Sequence, residues 1–296
     1  MQTSSAFQTP RIGAHVSIAG RLTKAVVRAL ESGCNTLQIF SRSPRMWRSA
    51  PLDLNAVAEF RELRAEHGLR PLVIHGNYLT NLAAADSAVR SKSITAFRDE
   101  MQRARLLGAD YLVIHPGSYK GQAIDSAIRT LADSVAEAAG NTAWNGCTLL
   151  LENTAGGGQT LGREFGELAE MRDRIRMNAD LPVGFCLDTA HCYEAGFDLT
   201  TTRDFEATLH RIDQSIGLAN IPVLHANDSK TALGSRHDRH ENIGRGFLGR
   251  ETFRRLLRHP GLLGKTFILE TPADEHGTYR RDVRELYSLV RPQAGG

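Results

Sequence analysis

The sequence predicts a single-domain α/β protein, a (β/α)8 barrel, and three observations predict it. Eight short apolar runs containing β-branched residues recur along 296 residues, each separated from the next by a longer helical pattern. Six of these runs carry His, Asp or Glu at or next to their last position. No linker or shift of composition marks a second domain. Strict alternation of strand and helix implies a parallel sheet buried on both faces. Eight such units can close on themselves, which brings all the C-terminal strand ends to one rim, where barrels build their sites. An open doubly wound sheet is the alternative. It binds ligand at one switch point and leaves polar residues on nearly every strand end without a purpose.

The strand-like runs are 12–16, 36–40, 71–75, 111–115, 148–152, 183–188, 222–226 and 266–270. Helical patterns lie between them, near 20–32, 54–68, 87–108, 122–140, 163–177, 201–217, 250–258 and 279–290. Gly33, Gly68 and Gly108 follow helices, and Pro71, Pro182 and Pro222 precede strands, which is the expected punctuation. Long connections follow the second, third, fifth, sixth and seventh strands, at 41–53, 76–86, 153–162, 189–199 and 227–249. All fall on the predicted active rim, and long loops in compact domains usually serve function. Residues 1–10 read as an N-terminal extension and 291–296 as a frayed tail.

A net charge of +3 is only mildly basic and does not by itself argue for nucleic acid. Its distribution is more telling. Residues 41–50 carry Arg42, Arg45 and Arg48 and no acid. Residues 229–250 carry Lys230, Arg236, Arg239, Arg245 and Arg250 against Asp238 and Glu241. The four cysteines, Cys34, Cys147, Cys186 and Cys192, form no CxxC pair and read as reduced, buried thiols of a cytoplasmic protein. The first ten residues lack the apolar core of a signal peptide. No run reaches the roughly 20 apolar residues of a membrane helix, so no membrane partner is expected.

The six polar strand ends are His75, His115, Glu152, Asp188, His225 and Glu270. His191 stands three residues beyond Asp188, and Asp238 and His240 form a D-x-H pair in the last long loop. Alone, each residue has a plainer reading: a hydrogen-bonded histidine, or for Asp188 a helix cap. Together they make five imidazoles and four carboxylates, a donor set that suits zinc, with manganese or iron as the alternative filling at one site. Nine ligands are too many for one ion and fit three if a carboxylate bridges two. Metal ions roughly 4 Å apart stabilise both the attacking and the leaving oxygen of a phosphodiester. Cys192 is set aside because the hard oxygen ligands around it suit different chemistry. His15 is expected behind the ligands, orienting one of them or a phosphate, or else structural. His67, His210, His259 and His276 read as solvated or structural, and His237 has the wrong parity for the D-x-H chelate.

The segments GAHVS, HGNYLTNL, IHPG, LENTAGGG, GFCLDTAH, LHANDSKTALGSRHDRHENIGRG and ILETP, spanning residues 12–272, resemble endonuclease IV, the zinc-dependent apurinic/apyrimidinic endonucleases of base-excision repair. The resemblance implies an eight-stranded TIM barrel with three zinc ions. His75, His115 and Glu152 would hold the first. Glu152 would bridge to a second, completed by Asp188, His225 and Glu270. His191, Asp238 and His240 would hold the third. It implies a cut 5′ to the abasic sugar of duplex DNA, leaving a 3′-hydroxyl, and removal of 3′-blocking groups. Glu152 and Glu270 are the expected catalytic carboxylates, Glu270 orienting or deprotonating the attacking water. Tyr78 and Leu79 match side chains that wedge into the duplex, and Arg45 matches a stack-inserting arginine. Lys230, Arg236 and Arg239 are expected on phosphates, which positions DNA without reading sequence. A monomer acting at the nucleoid is expected.

Three departures from the family pattern lie in loops: Arg21 at a usual glycine, Asn77 at a usually small position beside the wedge, and the Ser41–Pro44 stretch. They bear on DNA affinity and lesion preference rather than on metal chemistry. The rival reading is a sugar isomerase or epimerase on the same barrel, which needs fewer ligands and a closed small pocket. A non-catalytic DNA-binding protein is a third.

Overall fold

The computed structural model describes residues 10–140, 144, 146–273 and 278–290. The extension up to Thr9, the tail from 291 and His276 lie outside the described residues. In chain order the strands and helices are β1 (Arg11–His15), α1 (Thr23–Glu31), β2 (Thr36–Phe40), α2 (Leu54–Glu66), β3 (Leu72–His75), α3 (Ser87–Leu107), β4 (Tyr111–Ile114), α4 (Ile124–Ala139), β5 (Thr148–Glu152), α5 (Phe165–Asn178), β6 (Val183–Asp188), α6 (Thr189–Glu194), α7 (Thr202–Ile216), β7 (Val223–His225), β8 (Asp228–Ser229), β9 (His240–Glu241), α8 (Gly249–Arg258), β10 (Thr266–Leu269) and α9 (Tyr279–Val290).

Eight parallel strands close in the order β1-β10-β7-β6-β5-β4-β3-β2. The chain is therefore the predicted TIM barrel. Helix boundaries follow local chemistry. Asp53 and Asp86 cap α2 and α3 by accepting backbone N–H bonds, and Gly108 ends α3 with φ +66°, a left-handed turn that glycine adopts without strain. Pro71 and Pro222 stand just outside β3 and β7, since neither has an N–H to give to a ladder.

Two features differ from the sequence expectation. The stretch after β6 is not all loop: α6 starts at once because the Asp188 carboxylate accepts the His191 N–H at 2.8 Å. The long connection after β7 carries its own small antiparallel ribbon, β8 with β9.

The barrel interior is layered. Val73, Val113, Leu150, Cys186, Val223 and Ile268 form one buried apolar cluster, separate from the larger one between sheet and helices. A strand repeats its facing every second residue. Two residues beyond each of those six stand His75, His115, Glu152, Asp188, His225 and Glu270. The apolar floor therefore fixes the facing of the polar crown above it. On the remaining strands the same step leads from Gly13 to His15 and from Thr36 to Gln38. Gly13 is small by necessity: a Cβ there would run into the Thr36 carbonyl of the neighbouring strand.

Candidate metal centre

Glu152 is the hub of the crown. Its side chain is fully buried, and its two oxygens face different neighbours. Oε2 is 3.2 Å from His75 Nε2 and 3.6 Å from His115 Nε2. Oε1 is 2.9 Å from His225 Nδ1. His225 Nδ1 is also 3.4 Å from Glu270 Oε2 and 3.8 Å from Asp188 Oδ2. Asp188 uses its other oxygen to cap α6 and turns Oδ2 towards His240 Nε2 at 3.6 Å. The cap reading and the ligand reading of Asp188 are thus compatible, one for each oxygen.

Three sets of side chains bring one donor atom apiece within 4.8 Å of each other: His75 with His115 and Glu152; Glu152 with Asp188, His225 and Glu270; and Asp188 with His191 and His240. Asp238 adjoins the third set, its carboxylate oxygens 3.3 Å from His191 Nε2 and 3.4 Å from His240 Nε2. The barrel thus brings all nine sequence-predicted residues to one rim.

Several atoms of this cluster fit cations better than they fit one another. Nε2 of His191 and Nε2 of His240 are buried without a hydrogen-bond partner. Such atoms are costly unless something else satisfies them. Both aim at the Asp238 carboxylate without bonding to it, as ligands around a shared ion would. Imidazole and carboxylate together form the donor set that zinc takes.

The electrostatics follow from crowding. Burial opposes charge throughout, but carboxylates outweigh it at three imidazoles. Glu152 and Glu270 raise His75; Asp188 and Asp238 raise His191; Glu270 and Glu152, with Cys186, raise His225. At His115 burial wins and lowers the pKa against the pull of Glu152. Glu152 and Glu270 lie well below the usual carboxylate range because neighbouring histidines overcome the cost of burying them. Asp238 is pulled down to about 2, because the neighbouring His191 and His240 imidazoles overcome its partial burial. Glu152, Glu270 and Asp238 are therefore ionised at neutral pH.

A set of side-chain amides holds the crown, and sequence reasoning did not pick them out. Gln38 donates to Glu270 Oε1 at 2.6 Å and meets His225 Nε2 through its own oxygen at 2.9 Å. His15 completes that corner, with Nδ1 2.9 Å from Glu270 Oε1. Asn153 clamps Asp188 by accepting its backbone N–H at 2.7 Å and donating to its carbonyl at 3.0 Å. Asn227 donates to Asp188 Oδ2 at 2.7 Å and accepts the Glu270 N–H at 2.8 Å. The two asparagines stand within two residues of the crown's Glu152 and His225, in LENT and HAND, and that proximity was the available signal. Gln38 stands two residues past the interior Thr36 and so shares the facing of the crown.

Around the crown lies a cleft of about 540 Å³ that includes Phe40, Tyr78, Arg239 and Tyr279 in its wall. Tyr78 is 62% exposed, and its ring stands 5.2 Å from Phe40 and 6.2 Å from His75. Leu79 beside it is half-buried. Arg45, Lys230, Arg236 and Arg239 are all exposed. Arg236 has φ +58°, the lone non-glycine residue with positive φ among those described. The other histidines lie as expected: His67, His210 and His237 are exposed, and His259 accepts the Gly261 N–H. The four cysteines are buried and free. Burial pushes Cys34, Cys147 and Cys186 up to about 12 and raises Cys192 further, so none is a reactive thiolate.

The chain is 48% identical to a probable endonuclease 4 of Solibacter usitatus over 280 residues, covering 95% of this chain and 97% of that one. It belongs to the endonuclease IV family. A second relative of that name, from Methanoculleus marisnigri, is 41% identical and covers 94% of this chain and 98% of its own. The crystal structure of endonuclease IV from Thermus thermophilus superposes with a TM-score of 0.82 at 37% identity, covering 95% of this chain and 99% of that one. Residues 26–289 also match the family model described as a xylose isomerase-like TIM barrel. A 3-keto-D-glucoside 4-epimerase from E. coli, at 16% identity and a TM-score of 0.64, shares the fold alone. The departures noted above, Arg21, Asn77 and Ser41–Pro44, are thus features of an endonuclease IV family member, and none is among the nine crown residues.

Proposed function

We propose that the chain is an apurinic/apyrimidinic endonuclease of base-excision repair. It is a metal-dependent hydrolase that cuts duplex DNA 5′ to an abasic nucleotide, leaves a 3′-hydroxyl, and clears blocked 3′ ends by the same phosphodiester chemistry. The observation that carries this reading is the gathering of nine imidazole and carboxylate groups at a cleft whose wall includes the exposed Tyr78 and Arg239.

Three zinc ions are the proposed complement, with manganese or iron as the alternative at one site. His75, His115 and Glu152 take the first; Glu152, Asp188, His225 and Glu270 the second; His191, Asp238 and His240 the third. When bound, zinc lowers the pKa of water to near 7 and neutralises the phosphoryl and leaving oxygens. Glu152 offers one oxygen to each of two groups. Glu270 orients the attacking water or accepts its proton. His15 and Gln38 fix one Glu270 oxygen and leave the other on the His225 side. Tyr78 and Leu79 wedge the duplex where the missing base makes unstacking cheap, and Arg45 inserts beside them. Lys230, Arg236 and Arg239 hold phosphates without reading bases. No described helix is long and apolar enough to cross a membrane. A monomer working at the nucleoid in the cytoplasm fits a single closed barrel that carries every one of these groups.

The test is nicking of a duplex with one tetrahydrofuran residue, before and after strong chelation. Cleavage 5′ to the analogue, lost on chelation and restored by zinc, is expected. Turnover of a small sugar with no nicking would instead establish the isomerase reading, and DNA binding without cleavage the non-catalytic one.

A further inference from the structure

Two loops of the rim are joined by a single side chain. Asn77 is 6% exposed and lies at the start of the β3–α3 connection. Its Nδ2 donates to the Met46 carbonyl at 2.9 Å and, at longer range, to the Ser43 carbonyl at 3.4 Å. Its Oδ1 accepts the Leu79 N–H at 2.7 Å. One amide therefore gives hydrogens to the segment bearing Arg45 and takes one from the segment bearing Tyr78 and Leu79. Few groups can do both. Alanine does neither, and aspartate accepts but cannot donate; it would also set a negative charge against two carbonyls.

The arginine segment needs this tie at its tip. Its flanks are pinned from below by a buried ionic cluster. Arg42 binds Glu100 at 3.1 Å and the Trp47 carbonyl at 3.1 Å, and Arg103 holds Ser49 Oγ and the Ala50 carbonyl. The tip itself is open: Arg45 is exposed, and Met46 and Trp47 are 57% and 36% exposed. Asn77 closes the tip against the neighbouring loop.

We propose that Asn77 is a positioning residue for lesion binding, locking the Arg45 loop to the Tyr78–Leu79 loop so that the two meet damaged DNA as one preformed surface. This rests on the nuclease reading above. A preformed surface avoids the ordering cost that two independently mobile loops would pay on binding. Asn77 makes no contact with the reacting groups, so its effect falls on binding.

The test uses the full-length zinc-loaded protein and the tetrahydrofuran duplex. Asn77→Ala and Asn77→Asp should each raise KM by about tenfold, with kcat and metal content within about twofold of the parent. Hydrogen exchange across residues 43–50 should quicken in both. Arg45→Ala should also raise KM, and adding Asn77→Ala to it should cost less than about threefold more, because coupled residues are not additive. An unchanged KM in Asn77→Ala would overturn the proposal. So would a full tenfold penalty in the Arg45→Ala background, or a fall in kcat accompanied by loss of metal, which would mark Asn77 as a support of the crown. The nuclease reading fails differently: the parent protein itself would not nick. If the parent nicks and Arg45→Ala weakens KM while Asn77→Ala is silent, only this inference falls.

Discussion

Glu270 shows how one carboxylate is divided between tasks. Oε1 is held by Gln38 and His15, and Oε2 faces His225. Glu270→Gln keeps the shape and removes the charge, so nicking of the tetrahydrofuran duplex should fall on the order of a thousandfold, while binding by gel shift stays largely intact. Equal loss of both would contradict the assigned role. A second residue-scale prediction concerns pH. Protons and metal cations compete for the same imidazole nitrogens. His75, His191 and His225 have raised pKa values, so their contribution to the metal-free fold is fully present below the ordinary 6.5 and is lost as pH climbs through the raised values. Zinc binding gains over the same window. The rise in melting temperature caused by zinc should therefore be larger at pH 8.5 than at pH 6, as read by calorimetry on chelated and reloaded protein. An equal or reversed increment would show that these imidazoles are not the ligands. At this scale the polar strand ends were legible because a His, Asp or Glu terminating an apolar run is conspicuous. Gln38, Asn153 and Asn227 were not, because an amide carries no ligand signature and its partners are set by which strands become neighbours.

At the scale of elements, the long loop after β7 depends on a residue outside the nine. Asp228 is fully buried and accepts five backbone amides, from Ser229, Gly244, Gly246 and Leu248 at 2.9 to 3.1 Å and from Gly249 at 3.3 Å. Gly246 is required there, since a Cβ would strike the Ser229 carbonyl. That knot gathers both ends of the loop that carries Asp238 and His240. Hydrogen bonds to a charged group contribute about 2 kcal/mol each, and burial already raises the Asp228 pKa against them. Asp228→Asn keeps the shape but turns donors against donors. It should destabilise the protein by about 2 kcal/mol in urea titrations, speed hydrogen exchange across 228–249, and loosen metal at the third group before the other two. Unchanged exchange would mean the loop is held by something else. The sequence placed this loop on the right rim but not its ribbon or its knot. Two-residue strands have no periodicity to read, and an aspartate beside an asparagine looks like ordinary turn chemistry.

For the molecule as a whole, closure of the sheet is what converts a list of residues into a centre. Eight strand ends separated by scores of residues become neighbours once β1 pairs with β10. The layering below them, Val73 to Ile268 around the ring, sets the facing of the crown. That architecture was legible because barrel strands are short, apolar and regularly spaced. The distances within the crown were not, since they depend on the stagger of the closed sheet. The loops proposed to select substrate lie on the same rim, and their mutual ties, such as that from Asn77 to Met46, are revealed only by folding. The central claim is that this crown is built for three ions. The most direct measurement is the metal content of purified, nicking-competent protein by elemental mass spectrometry. Close to three ions per chain, mainly zinc, are expected, with activity lost as they are stripped. A fully active protein holding no more than one tightly bound ion per chain would contradict it.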